Sequence, residues 1–67
     1  MLETDRRVLA AIKAAWQENG YAPTFKEIGV RTRVASSATV QAAILRLSKL
    51  GVVDHVRGKA RTVRVVA

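Results

Sequence analysis

The chain has 67 residues, no cysteine, one histidine and a formal charge of +7. A chain this short is a single domain spanning 1–67, without disulfides or thiolate-bound zinc, and its core supplies only roughly 3–5 kcal/mol of net stability. There is no run of ~18 apolar residues to span a membrane, and the charged start at Glu3, Asp5, Arg6 and Arg7 is not a secretory leader, so a reducing, cytoplasmic setting is expected.

The first helix is predicted over about residues 4–19, with Thr4 as N-cap and Asp5 complementing the positive helix end. Val8, Leu9, Ile12, Ala15 and Trp16 recur at helical spacing as one apolar stripe, so Trp16 is expected in the core. Gly20 suits the left-handed stop. Tyr21-Ala22-Pro23 is extended, because the residue before proline is pushed out of the helical region.

Thr24 then opens a second helix, about 25–33, with Glu27 three residues on as the returning half of a capping box. Phe25 and Ile28 point inward with Thr32 nearby, and Gly29 suggests close approach of a crossing helix. The turn Arg33-Val34-Ala35 lacks glycine, and Val34 plugs the space between helices. A third helix follows over about 37–50, capped by Ser36 or alternatively Ser37, buried through Val40, Ala43, Ile44 and Leu47, and closed by Gly51. Two valine-rich runs, about 52–57 and 61–66, flank Arg57-Gly58-Lys59-Ala60-Arg61 and read as a β-hairpin. Three helices followed by a two-stranded antiparallel hairpin make an α+β winged helix-turn-helix.

Charge placement narrows the function. Residues 1–25 hold three basic and three acidic side chains, whereas from Lys26 onward nine basic residues meet only Glu27 and Asp54. A cationic field confined to the half that would dock is the footprint of a polyanion binder. With Val40, Ile44 and Leu47 inward, steps of ~100° per residue put Ala38, Gln41, Ala42, Leu45 and Lys49 on the opposite side of the third helix. Recognition helices read base edges through their leading turns, which makes Ser36, Ala38, Thr39, Gln41 and Ala42 the candidate base contacts. Gln41 can pair bidentately with adenine, and the alanine methyls can pack on thymine. Lys26, Arg31, Arg33, Ser37, Arg46, Arg57, Lys59 and Arg61 are the candidate backbone contacts. Leu45 has no assigned partner.

These motifs resemble the LexA repressor family, the bacterial SOS regulators. The likeness rests on V-L-x-x-I at Val8 to Ile12, Asn19-Gly20-Tyr21-Ala22-Pro23-Thr24, Lys26-Glu27-Ile28-Gly29, the serine-opened third helix, and L-x-x-L-G-V at Leu47 to Val52. It implies a winged helix that reads a palindromic operator through the start of the third helix, with the family's base contacts falling on Ser36, Ala38, Thr39, Gln41 and Ala42. Identities at some of these positions differ from the family's usual Asn or Glu, and Arg33 stands where the family usually has glycine. LexA repressors continue into a dimerising, self-cleaving domain with a Ser–Lys dyad that this sequence does not include. A fragment or a free-standing relative is therefore expected, acting as a homodimer on DNA or with a protein partner.

Catalysis is not expected. Asp54 and His55 are adjacent on a strand and face opposite ways, and no nucleophile, paired carboxylates or glycine-rich phosphate loop has supporting spacing. No cofactor, metal, membrane or small-molecule ligand is implied. The rival reading is a protein–protein adaptor docking on another regulator or a polymerase subunit through the same basic face. RNA binding is weaker, since Trp16, Tyr21 and Phe25 are all assigned to packing.

Overall fold

The computed structural model describes residues 1–34 and 36–66. Three helices, α1 (Glu3–Asn19), α2 (Phe25–Thr32) and α3 (Ser37–Lys49), precede strands β1 (Val53–Asp54) and β2 (Arg64–Val65). The strands pair antiparallel, with Val53 opposite Val65 and Asp54 opposite Arg64. This is the expected winged-helix α+β architecture. The three helices pack on one another, α1 also meets β2, and α3 meets β1.

The core is the shared apolar side of these elements. Val8 and Ile12 of α1, Ile28 of α2, and Val40, Ala43, Ile44 and Leu47 of α3 are fully buried, joined by Val53 and Val63 from the wing. Each carries its side chain at a period of about 3.6 on the helices or 2 on the strands, so the amphipathic pattern alone turns these faces together.

Helix ends differ in part from expectation. Thr4 is not the N-cap of α1; Leu2 is, with no side-chain cap of its own, while the Asp5 carboxylate at the third helical position reaches back to the Leu2 backbone. The Thr24–Glu27 capping box is formed as read, Thr24 Oγ1 accepting from the Glu27 N–H at 3.1 Å and the Thr24 N–H donating to Glu27 Oε1 at 2.9 Å. Ser36 occupies the N-cap of α3 without a side-chain hydrogen bond.

Both α2 and α3 close in the paired 6→1 and 5→2 pattern of a Schellman end. After α2, Val34 N–H reaches Gly29 O at 3.0 Å and Arg33 N–H reaches Val30 O at 3.3 Å; after α3, Val52 N–H reaches Leu47 O and Gly51 N–H reaches Ser48 O, both at 3.0 Å. Gly51 takes the left-handed conformation at φ 75°, whereas Arg33 adopts it at φ 58° despite its side chain. Gly29 does lie against α3: a Cβ there would sit 3.7 Å from Val40 Cγ2, within ordinary contact. Ala35, named in the expected turn, lies outside the described residues.

The wing departs most from the sequence reading. Its strands are two residues each rather than the predicted 52–57 and 61–66. Beyond the Val52–Val66 bond of 2.9 Å, side chains take over. Thr62 Oγ1 accepts from the Val56 N–H at 2.9 Å and donates toward Val56 O and Lys59 O at 3.3 and 3.1 Å. Trp16 is no core residue: it is 37% exposed, and its indole N–H donates to Val63 O at 3.0 Å, pinning the wing to α1. Nor is Tyr21 taken up by packing; it is 51% exposed beneath an arginine.

Candidate nucleic-acid interface

The leading half of α3 is presented outward by the burial of its other side. Ser36, Ser37, Ala38, Thr39 and Gln41 are exposed and Ala42 is half-buried, directly above the buried row Val40, Ala43, Ile44 and Leu47. All five sequence-derived base-contact candidates therefore sit on one helix start. The stretch contains no acidic residue, so a negatively charged backbone passing nearby meets no repulsion from this element. Leu45 continues the same face, 55% exposed.

The cationic candidates divide into two groups. Lys26, Arg33, Arg57 and Lys59 are exposed and have no ion-pair partner among the described residues. They lie at the start of α2, in the turn before α3 and at the wing tip, all elements that adjoin α3. Three others are engaged within the chain. Arg31 forms a bidentate pair with Glu18 at 2.7 and 3.1 Å, linking α2 to α1. Arg46 grips Asp5 through three contacts of 2.8 to 3.1 Å, linking α3 to α1. Arg61 holds Glu27 at 3.0 and 3.1 Å and also donates to Ala22 O at 3.1 Å.

These pairings set the local electrostatics. The Arg46 guanidinium holds the Asp5 carboxyl below its usual range, with burial pulling the other way. Asp5 is only 2% exposed, so its charge is tolerated because Arg46 answers it. Glu18 is lowered by its hydrogen bond to Arg31. Glu27 is lowered first by the Thr24 backbone N–H and then by Arg61.

Sequence reasoning passed over several side chains that position this surface. Arg7 donates to Thr32 O at 2.7 Å, satisfying a carbonyl at the end of α2 where a cation also opposes the helix dipole. Asp5 shares a helical stripe with Val8, Ile12 and Ala15, all buried; an acid on an apolar stripe was the available signal that it has a distant partner. The His55 N–H donates to Asp54 Oδ1 at 2.9 Å, and its ring packs 5.8 Å from that of Phe25.

Comparison with known proteins agrees with this arrangement. The LexA DNA binding domain family matches residues 2–62. The chain is 41% identical over 61 residues to the LexA repressor of Leuconostoc mesenteroides subsp. mesenteroides, covering 88% of this chain and 29% of that protein. It is 37% identical over 60 residues to the LexA repressor of Shouchella clausii, covering 90% and 29%, and 33% identical over 67 residues to that of Bifidobacterium longum, covering 100% and 28%. The chain thus spans less than a third of the length of the relatives it matches. On the family match, the identities and the helix-turn-helix with its wing, this chain belongs to the LexA DNA-binding domain family.

Proposed function

We propose that the chain binds double-stranded DNA with the start of α3 in the major groove and the wing against the backbone or minor groove. The observation that carries this reading is the exposed, acid-free row of small polar residues at that helix start. Gln41 is the candidate for bidentate adenine recognition, Thr39 and Ser36 for a base edge or phosphate, and Ala38 and Ala42 for thymine methyls. Lys26, Arg33, Arg57 and Lys59 hold phosphates, with Ser37 and the free backbone N–H groups of α3 assisting. Arg31 and Arg46 serve chiefly to hold the frame through their carboxylate partners. Membership of the LexA family supports a repressor role on a palindromic operator, with two copies meeting on one site.

The test is duplex binding measured against ionic strength, with Gln41→Ala and Lys59→Ala beside wild type. Four unpaired cations at phosphates give a log–log salt slope of about −3 to −4. Lys59→Ala should weaken binding to every sequence and flatten that slope by ~0.9. Gln41→Ala should instead narrow the gap between selected and random DNA, by about 1–3 kcal/mol. Negligible duplex affinity at moderate salt would reject the reading in favour of a protein-docking adaptor.

A further inference from the structure

Arg61 is the most heavily constrained cation of the wing. Its fork takes both Glu27 carboxylate oxygens at 3.0 and 3.1 Å, one arm also reaches Ala22 O at 3.1 Å, and its Cζ lies 5.0 Å from the centroid of the Tyr21 ring. The residue sits in a left-handed conformation, φ 57°, at the end of the wing loop. Glu27 in turn is engaged twice, since Oε1 also accepts the Thr24 N–H that starts α2. Apart from Asp54, which lies 3.8 Å from Arg64, Glu27 is the only acid after residue 25. The capping box does not need its charge, because glutamine completes the same box.

We propose that Glu27 is an affinity-setting residue that withholds Arg61 from the DNA backbone. The proposal rests on the DNA-binding reading above. A carboxylate and a phosphate compete for the same planar fork of donors, and the carboxylate is already in place. Both side chains of the pair are nearly half exposed, 43% and 46%, so the pair is loose enough for a phosphate to contest. The contact withheld is one that carries no sequence information, whereas base contacts come from α3. Subtracting a sequence-blind contact lowers affinity for every duplex by the same factor and leaves the ratio of cognate to random binding unchanged, so it loosens the hold on non-cognate DNA without touching base readout.

The experiment is a double-mutant cycle on a scrambled-sequence duplex titrated at several KCl concentrations, using wild type, Glu27→Gln, Arg61→Ala and the double variant. Glu27→Gln keeps the cap and should bind roughly 3–10-fold tighter at low salt, with a slope steeper by ~0.9. In the Arg61→Ala background the same change should give about two-fold or less, the residue of a screened through-space effect. Equal gains with and without Arg61 would overturn the proposal, as would a loss of affinity in Glu27→Gln, which would make the pair a brace for the wing. Absence of wild-type binding would instead remove the DNA reading itself, and is distinguishable because no variant is needed to see it. The Tyr21 ring, 5.0 Å from the Arg61 guanidinium carbon, gives a second readout: its protons should move little on duplex addition to wild type and shift in Glu27→Gln as the guanidinium leaves, and a wild-type shift as large as the variant's overturns the proposal.

Discussion

The seam between α1 and α3 and the seam between α1 and the wing are built from different interactions. The first is apolar and sealed: Val8, Ile12, Val40, Ile44 and Leu47 have no exposed surface, and its one ion pair tucks a buried carboxylate under an arginine. The second adds to the buried Val53 and Val63 only two short strands, an indole N–H on Val63 O and a threonine hydroxyl bridging the loop, while an exposed arginine–glutamate pair ties the wing to α2. Apolar burial is cooperative and insensitive to salt, while exposed polar contacts are individually weak and replaceable by water. The wing is therefore expected to open on its own, below the free energy of global unfolding, and the helices to open only together.

The largest expected effect belongs to the sealed seam. Asp5→Asn removes the charge but not the shape, leaving Arg46 half-satisfied though able to reach solvent, and should cost about 1–3 kcal/mol of global stability. Because the folded-state pKa of Asp5 is lowered by Arg46, its contribution is complete above the unfolded value of about 3.9 and disappears as pH falls through the depressed folded value. Denaturation curves of wild type and Asp5→Asn should thus lie apart at neutral pH and converge in acid. A gap that persists with Asp5 protonated would mean packing, not charge, is what the substitution disturbs.

A smaller and more local effect is expected at the wing. Trp16→Phe keeps an aromatic ring on α1 but removes the donor to Val63 O, at a cost of about 0.5–1.5 kcal/mol. Hydrogen exchange reads it: the Val66 N–H, bonded to Val52 O, and the Val56 N–H, bonded to Thr62 Oγ1, should exchange about ten-fold faster, with α1 and α3 amides little changed. If the helix amides accelerate by the same factor, the wing is not a separate cooperative unit and the contrast between the two seams fails.

What the sequence disclosed follows the range of each interaction. The helices and their buried faces were legible because periodicity is written within a few turns, and the Thr24–Glu27 box because its partners are three residues apart. Asp5 with Arg46, Glu27 with Arg61 and Glu18 with Arg31 were not, since only the fold brings together residues 41, 34 and 13 positions apart. The reading consequently counted Arg31, Arg46 and Arg61 with the unpaired cations. The hairpin was legible as extended chain from its valines, but ladder length was not. Past Asp54 the backbone turns away and Thr62 supplies bonds that a longer ladder would have made. Of the candidate site, the face of α3 came from the same periodicity that placed its core, so its outward residues needed no tertiary knowledge.

The smallest expected effect concerns the turn before α3, where Arg33 and Gly51 invite direct comparison. Both close a helix with the same pair of backbone bonds, at φ 58° and 75°. For an L side chain that conformation costs roughly 1–2 kcal/mol, whereas glycine gives back about 0.5–1 through its freer unfolded chain. Arg33→Gly should therefore be neutral to about 1 kcal/mol more stable, a rise of at most several degrees in Tm for a domain of this size. If the strain is tolerated because the guanidinium holds a phosphate, the same variant should lose affinity and ~0.9 of salt slope. Arg33→Ala separates the two effects: it keeps the left-handed strain but not the cation, so it should lose the affinity without gaining the stability. Matched affinity losses in both variants, with stability gained only in the glycine one, would mean that the turn carries its strain for the sake of a charge. Undiminished affinity in either variant would mean that Arg33 is no part of the grip, and that the free cations of α2 and the wing hold the backbone without it.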